Sequence, residues 1–174
     1  SIESQFYAAE ALYNAKEYNN AISEYRKVYQ KYSSSDYAPM AMYNEGWCYF
    51  ELNQPEKMID VFTRLASRFP KSSQAGDALF TIGDYYYNAK EYTKSSDAYT
   101  SLINKFPNYE KVEEAKSLVY DLSQINSYLE YEKAMKLFDT RNYEKAIEEL
   151  TKLFKKFPDA SIAVGCQVNI AASY

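Results

Sequence analysis

The chain has 174 residues, with 20 Lys plus Arg, 24 Asp plus Glu and no His, for a formal net charge of −4. Apolar residues make up 47% and charged residues 25%, the balance of a folded domain with a real core and not of a disordered chain. The missing histidines remove the commonest general base, the Ser-His and Cys-His nucleophile pairs and most zinc sites, and the acidic balance argues against a dedicated nucleic-acid binder.

The N-terminal Ser1-Ile2-Glu3-Ser4 has no basic stretch leading into an apolar one, so no signal peptide is visible. The chain does not begin with Met and reads as a piece of a longer protein, so missing targeting signals carry no weight. No run of 18 apolar residues marks a transmembrane helix. Only 4 Gly and 5 Pro occur, poor material for a turn-rich β-sandwich. Cys48 and Cys166 are far apart and form no CxxC pair, so they read as two buried or half-buried free thiols.

A first helix is expected around Phe6, Ala9, Glu10 and Tyr13, closed by Asn14-Ala15-Lys16-Glu17-Tyr18. A second follows, with Ala21, Ile22, Tyr25, Val28, Tyr29 and Tyr32 at helical spacing. The closing motif returns word for word at Asn88-Ala89-Lys90-Glu91-Tyr92, a shift of 74, or twice 37. Halfway lies Leu52-Asn53-Gln54-Pro55, a turn with proline at the start of the next helix. Arg68-Phe69-Pro70 and Lys105-Phe106-Pro107 repeat the same step of 37, and Lys31-Tyr32-Ser33 fits one step earlier. A later copy, Arg141-Asn142-Tyr143 with Lys156-Phe157-Pro158, lies 51 residues on, one period plus 14.

Stacking the copies exposes columns. Small residues fill Ala9, Gly46, Gly83 and Ala134, where two helices would cross closely. A second such column holds Ala21, Met58, Ser95 and Ala146. Large apolar or aromatic residues fill Tyr25, Phe62, Tyr99 and Leu150, and aliphatics fill Val28, Leu65, Leu102 and Leu153. Each unit is therefore two helices of roughly 14 residues.

These columns resemble the tetratricopeptide repeat, whose usual length is about 34 residues. The resemblance covers about 150 residues and implies an all-α, right-handed superhelical solenoid of antiparallel helix pairs, about ten helices in one array. Repeats are expected over 2–37, 38–74 and 75–110, an irregular unit over 111–160 and a partial repeat over 161–174. Two departures stand out. Gln5, Met42, Leu79 and Glu130 replace the first-helix aromatic, and Lys16, Asn53, Lys90 and Arg141 replace the turn glycine, which makes a left-handed residue costlier or the turn different. The 37-residue period and the bridge over 69–78 are similar to bacterial envelope repeat proteins of the Tol–Pal coordinator and outer-membrane assembly lipoprotein type. That similarity favours the periplasm or cell envelope, with the cytoplasm as the alternative.

The 14 extra residues give room for three helices between Pro107 and Pro158: one around Val112, Ala115, Leu118, Val119, Leu122 and Ile125, one around Tyr128, Tyr131, Met135 and Phe138, and one from Tyr143 to Phe157. No Gly or Pro lies between 108 and 157, which excludes a flexible linker. The insertion reads either as a degenerate repeat that keeps the solenoid going or as a joint between two sub-arrays. The chain closes on a first helix without a second, over 163–174.

No Walker loop, GxGxxG, HExxH or GxSxG occurs, so neither a catalytic residue nor a metal or other cofactor is expected. The resemblance implies a concave face lined by the first helix of each pair. Two aromatic columns run along it: Phe6, Tyr43, Phe80 and Tyr131, then Tyr13, Phe50, Tyr87 and Phe138. Between them sit Glu10, Trp47, Asp84 and Met135. An extended peptide or a helix could lie there, with a Lys or Arg meeting Glu10 or Asp84. The expectation is a protein-interaction scaffold that binds a protein or peptide and neither nucleic acid nor the membrane interior. The alternative is a structural segment that self-associates through its ends. Lys31, Arg68, Lys105 and Lys156, in the last turn of each second helix, complement the helix dipole.

Overall fold

The structure, a computed structural model, describes residues 1–172; Ser173 and Tyr174, the end of the expected partial repeat, lie outside the described residues. The described residues form nine helices and no strand: α1 (Ile2–Asn14), α2 (Tyr18–Lys31), α3 (Tyr37–Glu51), α4 (Pro55–Arg68), α5 (Ser73–Asn88), α6 (Tyr92–Lys105), α7 (Val112–Asp139), α8 (Tyr143–Lys156) and α9 (Ala163–Ala172). Each helix packs on its neighbours in the chain, and the odd-numbered helices also touch in sequence, α1 on α3 and α3 on α5. This is an all-α solenoid of helix pairs. None of the helices is long and apolar enough to cross a membrane.

The turn inside each pair keeps its left-handed residue without glycine. Lys16, Asn53, Lys90 and Arg141 have φ of 63°, 55°, 60° and 61°. The amides of Lys90 and Glu91 donate back to the carbonyls of Tyr87 and Tyr86, at 3.0 and 2.9 Å, and the same two bonds recur in the other three turns. This Schellman closure satisfies the last carbonyls of the first helix and reverses the chain tightly. Pro55 then occupies the start of α4, where its missing N–H costs nothing.

Small residues set how closely the pairs cross. A methyl carbon added at Gly46 would lie 2.1 Å from the Phe62 ring, and one at Gly83 would lie 2.4 Å from the Tyr99 ring. Ser95, an unusual residue for a helix crossing, is buried and donates from Oγ to the Gly83 carbonyl at 2.9 Å. Both cysteines are buried free thiols, and burial pushes the Cys48 thiol up to about 12. The C-terminal cations do more than meet the dipole. Arg68 lies over the Tyr29 and Phe69 rings and donates to the Tyr29 carbonyl at 3.1 Å, tying α4 to α2.

The insertion departs from expectation. Where two helices were expected over 112–138, the structure has one, α7, of 28 residues, which reduces the count from about ten to nine. The reason is local: with no Gly, Pro or left-handed residue inside this stretch, nothing stops the backbone ladder, and the extra 14 residues lengthen a helix by about 21 Å. The two halves of α7 serve different cores. Ala115 and Leu122 join the core of α1 to α6, while Ala134 packs with Leu150, Leu153 and Cys166 in a second one.

The four turns carry a measurable strain. Lys90→Gly is expected to raise stability by about 0.5–1 kcal/mol, the left-handed penalty relieved less the entropy that glycine loses on folding. Asn53→Gly is expected to change little, because Asn tolerates that conformation. Urea midpoints of the two variants check this. A Lys90→Gly protein less stable than its parent would refute it.

Candidate functional site

The twelve residues expected on the concave face divide by what they touch. Phe6 and Phe80 are buried, 4% and 6% exposed. Phe6 packs against Tyr25 and Tyr37, and Phe80 against Tyr99 and Tyr109. Tyr43 is half-buried and stacks on Phe62 at 5.1 Å. Tyr131, also half-buried, accepts from Asn169 Nδ2 at 2.7 Å. This column thus holds helices together at least as much as it faces outward.

The second aromatic column clamps the turns. Tyr13, Tyr87 and Phe138 meet Tyr18, Tyr92 and Tyr143 edge-on, at 5.4, 5.9 and 5.2 Å. In the second pair the partner position is Pro55, and Phe50 leans on Trp47 instead, at 5.5 Å, while staying 46% exposed.

The column between them obeys a pairing rule. The Tyr25 hydroxyl donates to Glu10 Oε1, and the Tyr99 hydroxyl to Asp84 Oδ1, each at 2.5 Å. Asn44 Nδ2 donates to the same Glu10 oxygen, bridging α1 and α3. Where the first helix carries Trp47, the second offers Phe62, the rings 6.1 Å apart and edge-on. Where it carries Met135, the corresponding residue is Leu150. An acid stands opposite each tyrosine, and an apolar residue opposite each apolar one. A buried phenol needs an acceptor, and the helix beside it supplies one. Glu10 and Asp84 are therefore structural partners as well as charges.

Geometry brings four of the twelve into one cleft. Tyr43 and Trp47 from α3 and Phe80 and Asp84 from α5 line a groove of about 340 Å³. Phe6, Glu10 and Tyr13 stand on α1, while Tyr131, Met135 and Phe138 stand on the far half of α7. Phe50 and Tyr87 sit near the turns, outside the lining of that cleft. The groove also takes in residues outside the expected twelve: Asp77, Thr81, Tyr85 and Asn88 on α5, and Tyr109 and Lys111 from the loop before α7. Asp77 could have been found, since it precedes Asp84 by seven residues on the same helix. Its Oδ1 accepts from the Tyr109 hydroxyl at 2.5 Å, and the Tyr109 ring fills the space that a side chain at Gly76 would take. A larger cleft of about 800 Å³, between the α4–α5 and α6–α7 loops, adjoins the groove through Asp77 and Tyr109.

A second polar cluster, away from the groove, ties α2 to α3. Glu45 is fully buried and accepts from Arg26 Nε and from the Tyr29 hydroxyl, both at 2.8 Å. Arg26 also reaches the Tyr49 hydroxyl, at 2.7 Å. Burial, then the Glu45 charge, pushes the Tyr29 hydroxyl up to about 12. Burial, then the paired carboxylates Glu10 and Asp84, raises Tyr25 and Tyr99 well above the ordinary phenol range.

These tyrosines make an alkaline prediction. Their folded values lie above the unfolded value near 10, so their contribution is complete below pH about 10 and is lost as pH rises toward the folded values. Three buried phenols together give a slope of about 4 kcal/mol per pH unit in that window. Tyrosinate absorbance and helical circular dichroism, followed from neutral pH upward, are expected to show these three phenols, with Tyr109 held likewise by burial and Asp77, ionising only with loss of helix. Full ionisation near pH 10 with the helices intact would contradict it. Asp84→Ala leaves the Tyr99 hydroxyl without its acceptor and is expected to cost about 1–3 kcal/mol in urea unfolding, against a smaller loss for Asp84→Asn, which keeps an acceptor oxygen.

A family model described as tetratricopeptide repeat matches residues 3–35, 40–72 and 77–109, more than half of the chain. No curated protein matches it. Among solved structures, the chain is similar to the TPR2AB domain of yeast Sti1 in complex with pHSP90, with 14% identity, 99% of this chain and 69% of that one covered, and a TM-score of 0.56. It is also similar to a tetratricopeptide repeat protein from Parabacteroides merdae, with 13% identity, 99% and 59% covered, and a TM-score of 0.50. At these identities the likeness is one of fold, and the chain spans about two thirds or less of each structure's length.

Proposed function

We propose, from the premise that the chain belongs to the tetratricopeptide repeat family, that it is a protein-interaction scaffold whose working surface is the groove between α3 and α5. The observation that carries this reading is the half-buried Trp47, which lines the groove beside Tyr43 and Phe80 instead of sinking into the core. Tryptophan and tyrosine supply large contact area with few rotatable bonds and a polar handle, the composition of binding hot spots. The yeast Sti1 domain, solved with pHSP90, supports a peptide or protein as the ligand. The similarity of the 37-residue repeat and of the bridge over 69–78 to bacterial envelope repeat proteins favours a place in a bacterial cell envelope. The repeats form one array, with the long α7 unit as its irregular member.

A second reading, self-association, is favoured by one observation: Val164 and Val168 on α9 are 70% and 61% exposed. Light scattering over a range of concentrations separates the two, because this reading requires mass to rise with concentration and Val164→Lys to stop it.

The groove reading is tested by site-specific photo-cross-linking. A photoreactive residue at Asn88, in the groove, is expected to capture a partner, and one at the exposed Thr100 on α6 is not. Equal capture from both positions, or capture from Thr100 alone, would move the working surface elsewhere.

A further inference from the structure

We infer that the groove between α3 and α5 selects a lysine- or arginine-bearing peptide segment, a reading that rests on the groove being the working surface. Two independent observations carry it: the charge of the wall, and a lysine of the protein itself lying on one of the groove's rings.

The lining is net negative: Asp77 and Asp84 line the cleft, against one ammonium, Lys111. Glu114 adds a carboxylate nearby, close enough to raise the Tyr99 hydroxyl that Asp84 holds. A concave wall of net negative charge, backed by packed rings of low dielectric, concentrates counter-charge more than a flat surface does.

Lys111 shows what such a charge meets. Its ammonium lies 4.8 Å from the centre of the Phe80 ring, the geometry of a cation–π contact. An incoming lysine or guanidinium finds the same chemistry in the next position. Trp47 has the ring that binds cations best, half-exposed beside Tyr43, in the cleft that Asp84 also lines. Asp77 and Asp84 each hold a tyrosine hydroxyl through Oδ1, which fixes the carboxylates in place before a ligand arrives. An acidic ligand would meet Lys111 alone and be repelled by the rest.

The chain contains one tryptophan, so its emission reads the groove directly. The intact chain is titrated with a tryptophan-free labelled peptide of alternating Lys and Leu, and with versions carrying Gln or Glu at each Lys. Trp47 emission reports occupancy of the groove, and anisotropy of the label reports binding anywhere. The Lys peptide is expected to shift Trp47 emission, to bind about tenfold more tightly than the Gln peptide, and to weaken several-fold as salt rises. Asp77→Asn, which keeps an oxygen for the Tyr109 hydroxyl, is expected to loosen the Lys peptide about threefold with helicity unchanged. Equal affinity and an equal emission shift for the Gln or Glu peptide would overturn the selection for basic ligands while leaving the groove as the working surface. A Lys peptide that binds by anisotropy without moving Trp47, for instance at the cleft between α7 and α8, would overturn the groove reading itself. No binding of the Lys peptide by either measure would overturn the inference.

Discussion

The close crossing of the two helices in each pair is the constraint on which the remaining structure depends. At Gly46 and Gly83 the ring of the second helix occupies the space where a side chain would begin. A methyl group there would have to push Phe62 or Tyr99 aside, and overpacking of that kind costs about 1–3 kcal/mol. Because the axes come this near, a side chain one residue beyond the small one reaches the ring tip. That places Asp84 within hydrogen-bond distance of Tyr99, and Trp47 edge-on to Phe62. Ala9 and Glu10 repeat the arrangement against Tyr25.

Much of the polar structure follows from the choice of tyrosine over phenylalanine at these core positions. A fully buried phenol brings a hydroxyl that must be satisfied, and each one recruits a carboxylate from the preceding or following first helix. Tyr29 and Glu45 do this between pairs, with Arg26 neutralising the buried charge. Tyr25 and Tyr99 do it within pairs. The acids satisfy the core, and Asp84 also lines the groove between α3 and α5.

The period of 37 and the small, aromatic and aliphatic columns made the helix pairs legible from the sequence. The same holds for the turns, where Pro55 and the twice-used Asn-Ala-Lys-Glu-Tyr motif mark the reversals. What the sequence left open was decided by backbone continuity and reach. Lys16, Lys90 and Arg141 are poor left-handed residues, yet the turn hydrogen bonds hold all three there. The long α7 was misread because its apolar residues change face midway, which looks like two helices when only periodicity is followed. Of the expected site, Tyr43, Trp47, Phe80 and Asp84 gather in one cleft, but Lys111 and Tyr109 come from a loop whose path no repeat dictates. The pairing of Glu10 and Asp84 with tyrosine could have been read in advance: each acid is followed by a tyrosine fifteen residues later, and Trp47 and Met135 by an apolar residue.

The length of α7 also sets a limit on the regularity of the array. Helix α1 rests on α3 and α3 on α5, but α7 does not rest on α5 in that way. Its second half, with Tyr131, Met135 and Phe138, stands about 21 Å further along the helix axis than an unextended unit would place it. The four-row strip is broken into three rows and a displaced fourth. The insertion thus interrupts the register of the strip, so the first helices keep one spacing only as far as α5.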